Sequence, residues 1–230
     1  MTQPFVYDPA ITERFPAIRA GVVTASGLDN GPSPEELVDQ YRAEQVDALA
    51  RLAATPISET PSVRAWRRAF SAFGVKPTQY RSAVEALLRR LDKSGDIPSI
   101  NTLVDIGNLI SIRYALPVAV LDRSSLTGSV TVRFATGAER FTDIGSGEEQ
   151  HPEPGEVIFV DDADHVTARR WCWRQSAPSA TGAGTTAALF TIEALHDDAA
   201  DDVGSAIHDL GSLLGVHQPG SQISAYLLPG

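Results

Sequence analysis

The stretch Asn101-Thr-Leu-Val-Asp-Ile-Gly-Asn-Leu-Ile-Ser-Ile-Arg-Tyr-Ala-Leu-Pro-Val-Ala-Val-Leu-Asp122 marks the point where the sequence changes from helical to extended patterning. We expect a helix over residues 101–114, because Pro117 lies just beyond it and proline cannot continue a helix. Val118–Leu121 is a short apolar run, and in Ser129–Ala135 apolar and polar residues alternate as in a half-buried strand. The sequence therefore divides near Pro117 into a helical part and a strand-rich part.

Helical signals dominate before this boundary, after one early strand at residues 17–25. Helix starts are predicted at Ser33-Pro34-Glu35-Glu36, at Thr60-Pro61 and at Ser82-x-x-Glu85. After the boundary, strands are predicted at residues 155–161, 165–175, 187–195 and 223–228, with a late helix carrying Val203 to Leu214. Such segregation predicts an α+β fold with mixed or antiparallel sheets and an N-terminal helical cluster. Without a strong linker, we expect a single domain over residues 1–230.

Composition restricts the classes of protein to consider. The chain is 43% hydrophobic, yet no run approaches the roughly 20 apolar residues that cross a bilayer. The first residues do not resemble a secretory signal, so we expect a cytoplasmic protein with no membrane partner. Cys172 is the only cysteine, and it is expected to be a buried, inert thiol on a strand. The histidines are scattered and phosphate-binding loops are absent, so we expect neither a metal nor a cofactor.

The charge distribution is uneven. Nineteen Lys and Arg face 29 Asp and Glu, giving a net charge of −10 that repels nucleic acid on average. Between Arg64 and Arg90, however, seven basic residues face a single acid, Glu85. Such a face either binds RNA or merely solvates two helices. The candidate RNA-binding residues are Arg67, Arg68, Lys76 and Arg81, although Arg67 beside a tryptophan is more typical of structural pairing with a carboxylate.

Several ordered segments resemble the editing domain of bacterial phenylalanyl-tRNA synthetase β-subunits, in its freestanding branch. They are Ala65-Trp-Arg-Arg-Ala-Phe70 with Gly74-x-x-Pro77 and Leu87-Leu-Arg-Arg90, then Asn101-x-x-Val-Asp-x-x-Asn108, Pro117-x-x-x-x-Asp122, Pro154-Gly-Glu-Val157 and Arg170-Trp-Cys-Trp-Arg-Gln175. The similarity runs in order from about residue 15 to 195. It implies the layered fold of the editing module.

The resemblance also implies a function. The family's task is hydrolysis of a mischarged aminoacyl-tRNA, so tRNA is the expected partner, rather than DNA. The reaction needs a pocket that holds the amino acid, admits water and stabilises charge on the carbonyl oxygen. The terminal ribose hydroxyl of the tRNA can itself help to position that water, which agrees with the lack of a catalytic triad in the sequence.

The resemblance assigns candidate site residues. Glu193, in Phe190-Thr-Ile-Glu-Ala194, corresponds to the glutamate of the synthetase Leu-Glu-x-Ala segment, and we expect it to be catalytic together with Asn108. Without the resemblance, Glu193 reads as a solvated glutamate on a strand. Asp105 and Asn108 either line the pocket or cap local backbone. The remaining candidate substrate contacts are Trp171, Trp173, Arg174 and Gln175.

Two departures from the family pattern put the substrate in question. Ala119 stands where the synthetases place a pocket histidine, and Trp171–Gln175 replace a glycine-rich loop. Bulky aromatic residues there should reshape or shrink the pocket. Two alternatives to editing therefore stay open: a non-catalytic module that binds an amino acid or RNA, and a hydrolase for a small aminoacyl ester or amide.

Overall fold

The computed structural model describes residues 3–228. Its helices are α1 Pro9–Arg14, α2 Glu35–Ala54, α3 Pro61–Ala72, α4 Ala83–Ser94, α5 Thr102–Tyr114 and α6 Ala199–His217. Its strands are β1 Phe5–Tyr7, β2 Arg19–Ser26, β3 Val118–Asp122, β4 Val130–Phe134, β5 Phe141–Thr142, β6 Glu149–Gln150, β7 Val157–Asp161, β8 Val166–Arg169, β9 Arg174–Gln175, β10 Ala187–Ala194 and β11 Gln222–Leu228.

The strands form two main sheets and a small hairpin. One sheet has five strands in the order β1-β4-β7-β8-β9, with β1 parallel to β4 and the other pairs antiparallel. The second sheet is antiparallel, in the order β11-β2-β10-β3. The predicted α+β class with mixed and antiparallel sheets is confirmed. That the chain forms a single domain stays a prediction.

Two local predictions were wrong, and two short elements were missed. The short elements β1 and α1, which precede the first predicted strand, were not predicted. Residues 165–175 are not one strand, because a turn at residues 170–173 separates β8 from β9. Ser33 does not cap α2: Pro34 is the N-cap residue, and the Ser33 hydroxyl donates to Asp105 instead.

Alternation along the central strand β10 explains the two main cores. Ala188, Phe190 and Ile192 face α2, α5 and α6 and belong to the helical core. Leu189 faces the other way, into a second core between the two sheets, which also contains aromatic residues from α3. Glu193 is four residues beyond Leu189 and so shares its face. The register of β10 therefore directs the Glu193 side chain between the sheets.

The helical layer packs closely against the four-stranded sheet. A Cβ atom added at Gly21 on β2 would lie 2.2 Å from Cγ2 of Ile207 on α6, so this contact requires glycine. Gly107 on α5 is similar, since an added Cβ would lie 2.7 Å from Val120 on β3. Within residues 3–228, no helix has the length and apolarity needed to cross a membrane.

Candidate functional site

Glu193 is a buried carboxylate with an asymmetric environment. The side chain is 2% exposed. Its Oε1 accepts a hydrogen bond from Trp171 Nε1 at 2.8 Å and a second from the hydroxyl of Tyr7. Within residues 3–228, no donor reaches Oε2. One carboxylate oxygen is thus saturated by the protein, and the other is available to a ligand.

Burial dominates the acidity of this carboxylate. Removal from water disfavours the charged form and raises the pKa of Glu193 to about 7, although the hydrogen bonds from Tyr7 and Trp171 act in the opposite direction. Burial and the nearby carboxylate likewise raise the pKa of the Tyr7 hydroxyl, which therefore stays protonated as a donor. Near neutral pH, Glu193 changes between protonated and charged forms.

A strained turn delivers Trp171 to Glu193. Arg170 and Trp171 both adopt the left-handed region, with φ of 45° and 59°, which is unfavourable for residues other than glycine. The indole is fully buried and packs edge-on against Phe15 and Trp66, at centroid distances of 4.9 and 5.0 Å. This aromatic packing, with the hydrogen bond to Glu193, compensates for the backbone strain. Trp171 thus acts through Glu193 as well as lining the site.

The free side of Glu193 opens into a small hollow between the sheets, which we call the Glu193 hollow. It measures about 380 Å³, a volume that includes open solvent at its mouth. Its apolar walls include Pro117, Val118 and Ala119 from β3 and its approach, with Phe159 and Ala168 from the five-stranded sheet. The hollow therefore combines one buried acid with short aliphatic and aromatic walls.

The hollow contains a thiol but no evident activated nucleophile. Cys172 lines it, and burial together with the charge of Glu193 raises the pKa of the thiol, so the reactive thiolate is disfavoured. Ala119 also lines the hollow, where it contributes only a methyl group. It stands at the position for which the sequence analysis expected a pocket histidine in the synthetases.

Polar and aromatic residues surround the mouth of the hollow. Trp173 packs edge-on against Tyr80 at 4.9 Å, and the guanidinium groups of Arg170 and Arg174 lie over its ring, 4.7 and 5.1 Å from the centroid. Arg174 also pairs with Asp143 at 2.6 Å.

Gln175 has a divided role at the same mouth. Its Nε2 donates to the carbonyls of Val120 and Ser179, at 2.9 and 2.8 Å, so its amide group is largely structural. All four candidate substrate contacts, Trp171, Trp173, Arg174 and Gln175, line the Glu193 hollow.

The two polar residues of the Val-Asp-x-x-Asn segment lie elsewhere. Asp105 is fully buried and accepts hydrogen bonds from the hydroxyls of Ser33 and Ser99 and from the amide of Ile100. Of the two roles considered for Asp105, this corresponds to capping local backbone. Asn108 is half-buried and lines a neighbouring surface hollow, the Asn108 hollow, with Arg90. The two hollows share Ala83 and Val118 as walls, but Asn108 and Glu193 do not line the same one.

Comparison with known proteins places the chain in a family. A sequence model of the B3/4 domain matches residues 65–206, more than half of the chain. The chain belongs to the B3/4 domain family.

Two phenylalanine–tRNA ligase β-subunits are among the relatives of this B3/4 chain. The one from Mycobacterium leprae is 39% identical over 75 residues, covering 33% of this chain and 9% of that subunit. The one from Shewanella oneidensis is 30% identical over 89 residues, covering 39% and 11%. The expected kinship with these synthetase subunits is confirmed, and the chain spans about a tenth of their length.

A short relative and a solved structure complete the comparison. The uncharacterized protein YhzB of Bacillus subtilis is 24% identical over 125 residues, covering 54% of this chain and 60% of YhzB. An N-terminal fragment of the phenylalanyl-tRNA synthetase β-subunit from Pyrococcus horikoshii aligns with 98% of this chain and 54% of its own length, at 12% identity and a TM-score of 0.49.

Three of the seven residues of the basic face of the B3/4 chain form an internal ion cluster with Glu85. Glu85, 1% exposed, accepts two hydrogen bonds from Arg67 at 2.9 and 2.6 Å and one from Arg89 at 2.8 Å, and Arg81 lies 3.8 Å away. Burial raises the pKa of Glu85, but these arginines outweigh it and lower the pKa overall. Arg67 thus pairs with a carboxylate, which is the structural role that the sequence analysis named as more typical for it.

The same cluster still carries excess positive charge near the site. Three arginines surround one carboxylate, and the side chains of Arg81 and Arg89 are 45% and 39% exposed. Helix α4 begins at the Glu193 hollow, because Ala83 lines it and the Ala83 amide donates to the Cys172 carbonyl at 2.7 Å. A basic helix therefore starts at the wall of the candidate site.

Tyr7 is the functional candidate that the sequence analysis missed. It comes from β1, a three-residue strand with no pattern of its own, and reaches Glu193 across 186 positions of sequence. The alternation of Phe5, Val6 and Tyr7 beside a turn-forming Asp8-Pro9 was the available signal. Nothing in that signal specifies a partner on β10.

Proposed function

We propose that the chain hydrolyses the ester bond of a mischarged aminoacyl-tRNA, with the amino acid held in the Glu193 hollow. The observation that carries the proposal is the buried Glu193 carboxylate, with one oxygen free inside a small, mostly apolar hollow. An α-ammonium group is the natural partner of that oxygen, since an unpaired buried charge is costly. The side chain of the amino acid would then contact the apolar walls.

The charges of the hollow fit this orientation. Glu193 lies at its buried end, and Arg174 lies at the mouth with its side chain 43% exposed. Arg174 already pairs with Asp143 at 2.6 Å, but its remaining guanidinium N–H groups can donate to an acyl oxygen at the mouth, whereas an ammonium group has no lone pair to accept them. We therefore place the ammonium inside and the ester bond at the mouth, where water is available.

The proposed reaction needs no protein nucleophile. A water molecule adds to the ester carbonyl carbon, negative charge develops on the carbonyl oxygen beside Arg174, and the carbon–oxygen bond to the terminal ribose breaks. The ribose oxygen leaves with a proton, giving a free amino acid and a deacylated tRNA. In this scheme Glu193 is a catalytic residue because it binds the ammonium and fixes the carbonyl at the mouth.

The size of the hollow favours a small amino acid. Trp171 and Phe159 occupy space on one side, and the volume of about 380 Å³ includes the open mouth. The predicted shrinkage of the pocket by Trp171–Gln175 is consistent with this size. We propose a small aliphatic or hydroxylated amino acid as the ester that is removed.

The tRNA would approach along α4. Arg81, Arg89 and Arg90 lie on this helix or beside it, and Arg90 and Asn108 line the hollow adjoining the site. We propose that Arg68, Lys76 and Arg81 contact the RNA, while Arg67 holds Glu85 in place. Binding should weaken strongly with salt, as expected for phosphate contacts. We expect this activity in the cytoplasm.

The test is deacylation of a panel of mischarged tRNAs by wild type and by Glu193→Gln. Glu13→Gln, at an exposed position on α1, is the matched control. We expect hydrolysis of at least one small-residue ester, a loss of tenfold or more in Glu193→Gln, and no change in Glu13→Gln. Inactivity of the wild-type protein across the full panel would reject the proposal. Activity on an aminoacyl methyl ester at the same rate, insensitive to salt, would indicate a small-ester hydrolase instead.

A second candidate function is a non-catalytic amino-acid or RNA-binding module. It is favoured by Ala119 and by the disfavoured thiolate of Cys172, because neither residue provides a base within the Glu193 hollow. An uncleavable amino-acid amide tests it. Thermal stabilisation by the amide, lost in Glu193→Gln and without turnover of any ester, would favour this function.

A further inference from the structure

A second hollow, the Arg140 hollow, lies across the five-stranded sheet from Glu193. On β8, Ala168 lines the Glu193 hollow and Thr167 lines the second one. At the end of β9, Gln175 likewise lines the Glu193 hollow, and the following residue, Ser176, lines the second one. Because successive residues of a strand point to opposite faces, the two hollows lie on opposite sides of this sheet edge. The second hollow is larger, about 650 Å³ including its mouth.

Hydroxyl groups dominate its lining. They come from Ser125, Thr142, Thr167, Ser176 and Ser179. Ser176 and Ser179 are buried and share a hydrogen bond of 2.9 Å between their hydroxyls. The Ser125 hydroxyl donates to the Asp122 carbonyl and those of Ser176 and Ser179 bond to each other, so these three offer chiefly acceptor lone pairs. The hydroxyls of Thr142 and Thr167 can donate, and the combination suits a polyhydroxylated ligand better than an apolar one.

Thr167 supplies an unpartnered polar group at this hollow. The residue is 3% exposed, and its hydroxyl has no hydrogen-bond partner within residues 3–228. A buried hydroxyl without a partner costs free energy, so such groups are uncommon. A ligand that offers an oxygen to Thr167 would recover that lost hydrogen bond.

Arg140 adds a positive charge at the mouth. Its guanidinium donates to His165 Nε2 at 2.8 Å, and within residues 3–228 no carboxylate lies within 4 Å of it. The other ring nitrogen of His165, Nδ1, lies 3.5 Å from Asp161 Oδ2. The imidazole orients Arg140 and, unlike a carboxylate, brings no negative charge that would cancel the charge of the guanidinium. Glu149 is the acid in the lining, and it is exposed.

We propose that the Arg140 hollow binds a small phosphate ester of a polyhydroxylated compound, with the phosphate at Arg140 and the hydroxyl-bearing part against Thr167 and Ser179. A guanidinium forms paired hydrogen bonds with phosphate, and Arg140 can do so here because its present side-chain partner is an imidazole rather than a carboxylate. The hydroxyl-rich floor supplies contacts that inorganic phosphate alone would not use. This site is independent of the proposed deacylation.

Isothermal titration calorimetry with ribose 5-phosphate, ribose and inorganic phosphate tests the proposal on the full chain. We expect ribose 5-phosphate to bind, inorganic phosphate to bind more weakly and ribose to give no measurable heat. Arg140→Gln should weaken binding of ribose 5-phosphate at least tenfold. Arg42→Gln, at an exposed position on α2, should leave it unchanged. Glu149→Gln should strengthen binding of ribose 5-phosphate severalfold, because it removes a negative charge that repels the phosphate.

The Thr167→Val variant tests whether the hydroxyl of Thr167 contacts the ligand or only stabilises the fold. The substitution keeps the shape and removes the unpartnered hydroxyl, so we expect weaker binding with an unchanged or higher melting temperature. Absence of heat from ribose 5-phosphate at millimolar concentration overturns the proposal, as does equal binding by wild type and Arg140→Gln. If Arg140→Gln weakens only tRNA binding, the hollow contacts an RNA backbone and the small-ligand proposal is likewise overturned.

Discussion

Replacing Glu193 by glutamine should change how the stability of the protein depends on pH. Burial raises the pKa of this carboxyl group to about 7 in the folded state, against an ordinary value of 4.5. Between these two pH values the folded protein keeps the proton that the unfolded chain releases. The free energy of unfolding of wild type should therefore fall as pH rises through this range.

The size of the effect follows from the two pKa values. At 1.36 kcal/mol for each pH unit, the difference corresponds to about 3 kcal/mol. This stabilisation is complete below the unfolded pKa and is lost once pH exceeds about 7. The glutamine side chain retains an oxygen for Tyr7 and Trp171 but does not titrate, so the Glu193→Gln variant lacks this contribution.

Urea unfolding at pH 5, 6, 7 and 8, followed by the fluorescence of the buried Trp66 and Trp171, measures the difference. We expect wild type to lose about 2.5 kcal/mol relative to Glu193→Gln between pH 5 and pH 8, because part of the full difference falls below pH 5. Glu13→Gln should follow wild type throughout, because Glu13 is exposed. Parallel curves for wild type and Glu193→Gln would refute the account of a buried, proton-binding Glu193.

Three further predictions concern other contacts. Tyr7→Phe removes a hydrogen bond that lowers the pKa of Glu193, so the rise of kcat/KM for deacylation with pH should move to higher pH. Glu85→Gln should cost about 2 kcal/mol in urea unfolding at pH 7, since hydrogen bonds to charged groups are lost; an unchanged midpoint would contradict the ion cluster. Gly21→Ala should cost about 1–3 kcal/mol by overpacking, and adding Ile207→Ala should restore part of it in the same assay.

The sequence predicted the larger elements well because their signals are local. Helix α4 begins after the predicted cap Ser82, whose hydroxyl accepts from the Glu85 amide. Strand β3 begins just after Pro117, as expected. The burial of Glu193 was not predictable from local pattern, because an acid on a strand is normally solvated. It depends on pairing of β10 with β2 and β3 and on the second sheet covering that face.

Three features could not be read from the sequence because they arise from contacts between distant segments. The turn at Arg170–Trp171 contains no glycine or proline, so its alternating aromatic residues resembled a continuous strand. Tyr7 was missed because β1 is stabilised by pairing with β4 rather than by its own residues. Counting charges also overstated the free basic face, since Glu85 is buried among the arginines around it.

The hydrogen bond between the Ala83 amide and the Cys172 carbonyl, 2.7 Å long, has a mechanical consequence. It fastens the start of α4 to the residue next to Trp171, whose indole lowers the pKa of Glu193. Helix position and carboxyl acidity are therefore coupled through a single peptide group. We expect a polyanion that binds along α4 to shift the pKa of Glu193, measured by infrared spectroscopy, without contacting Glu193. The protonation of this buried side chain would then depend on binding at the outer surface.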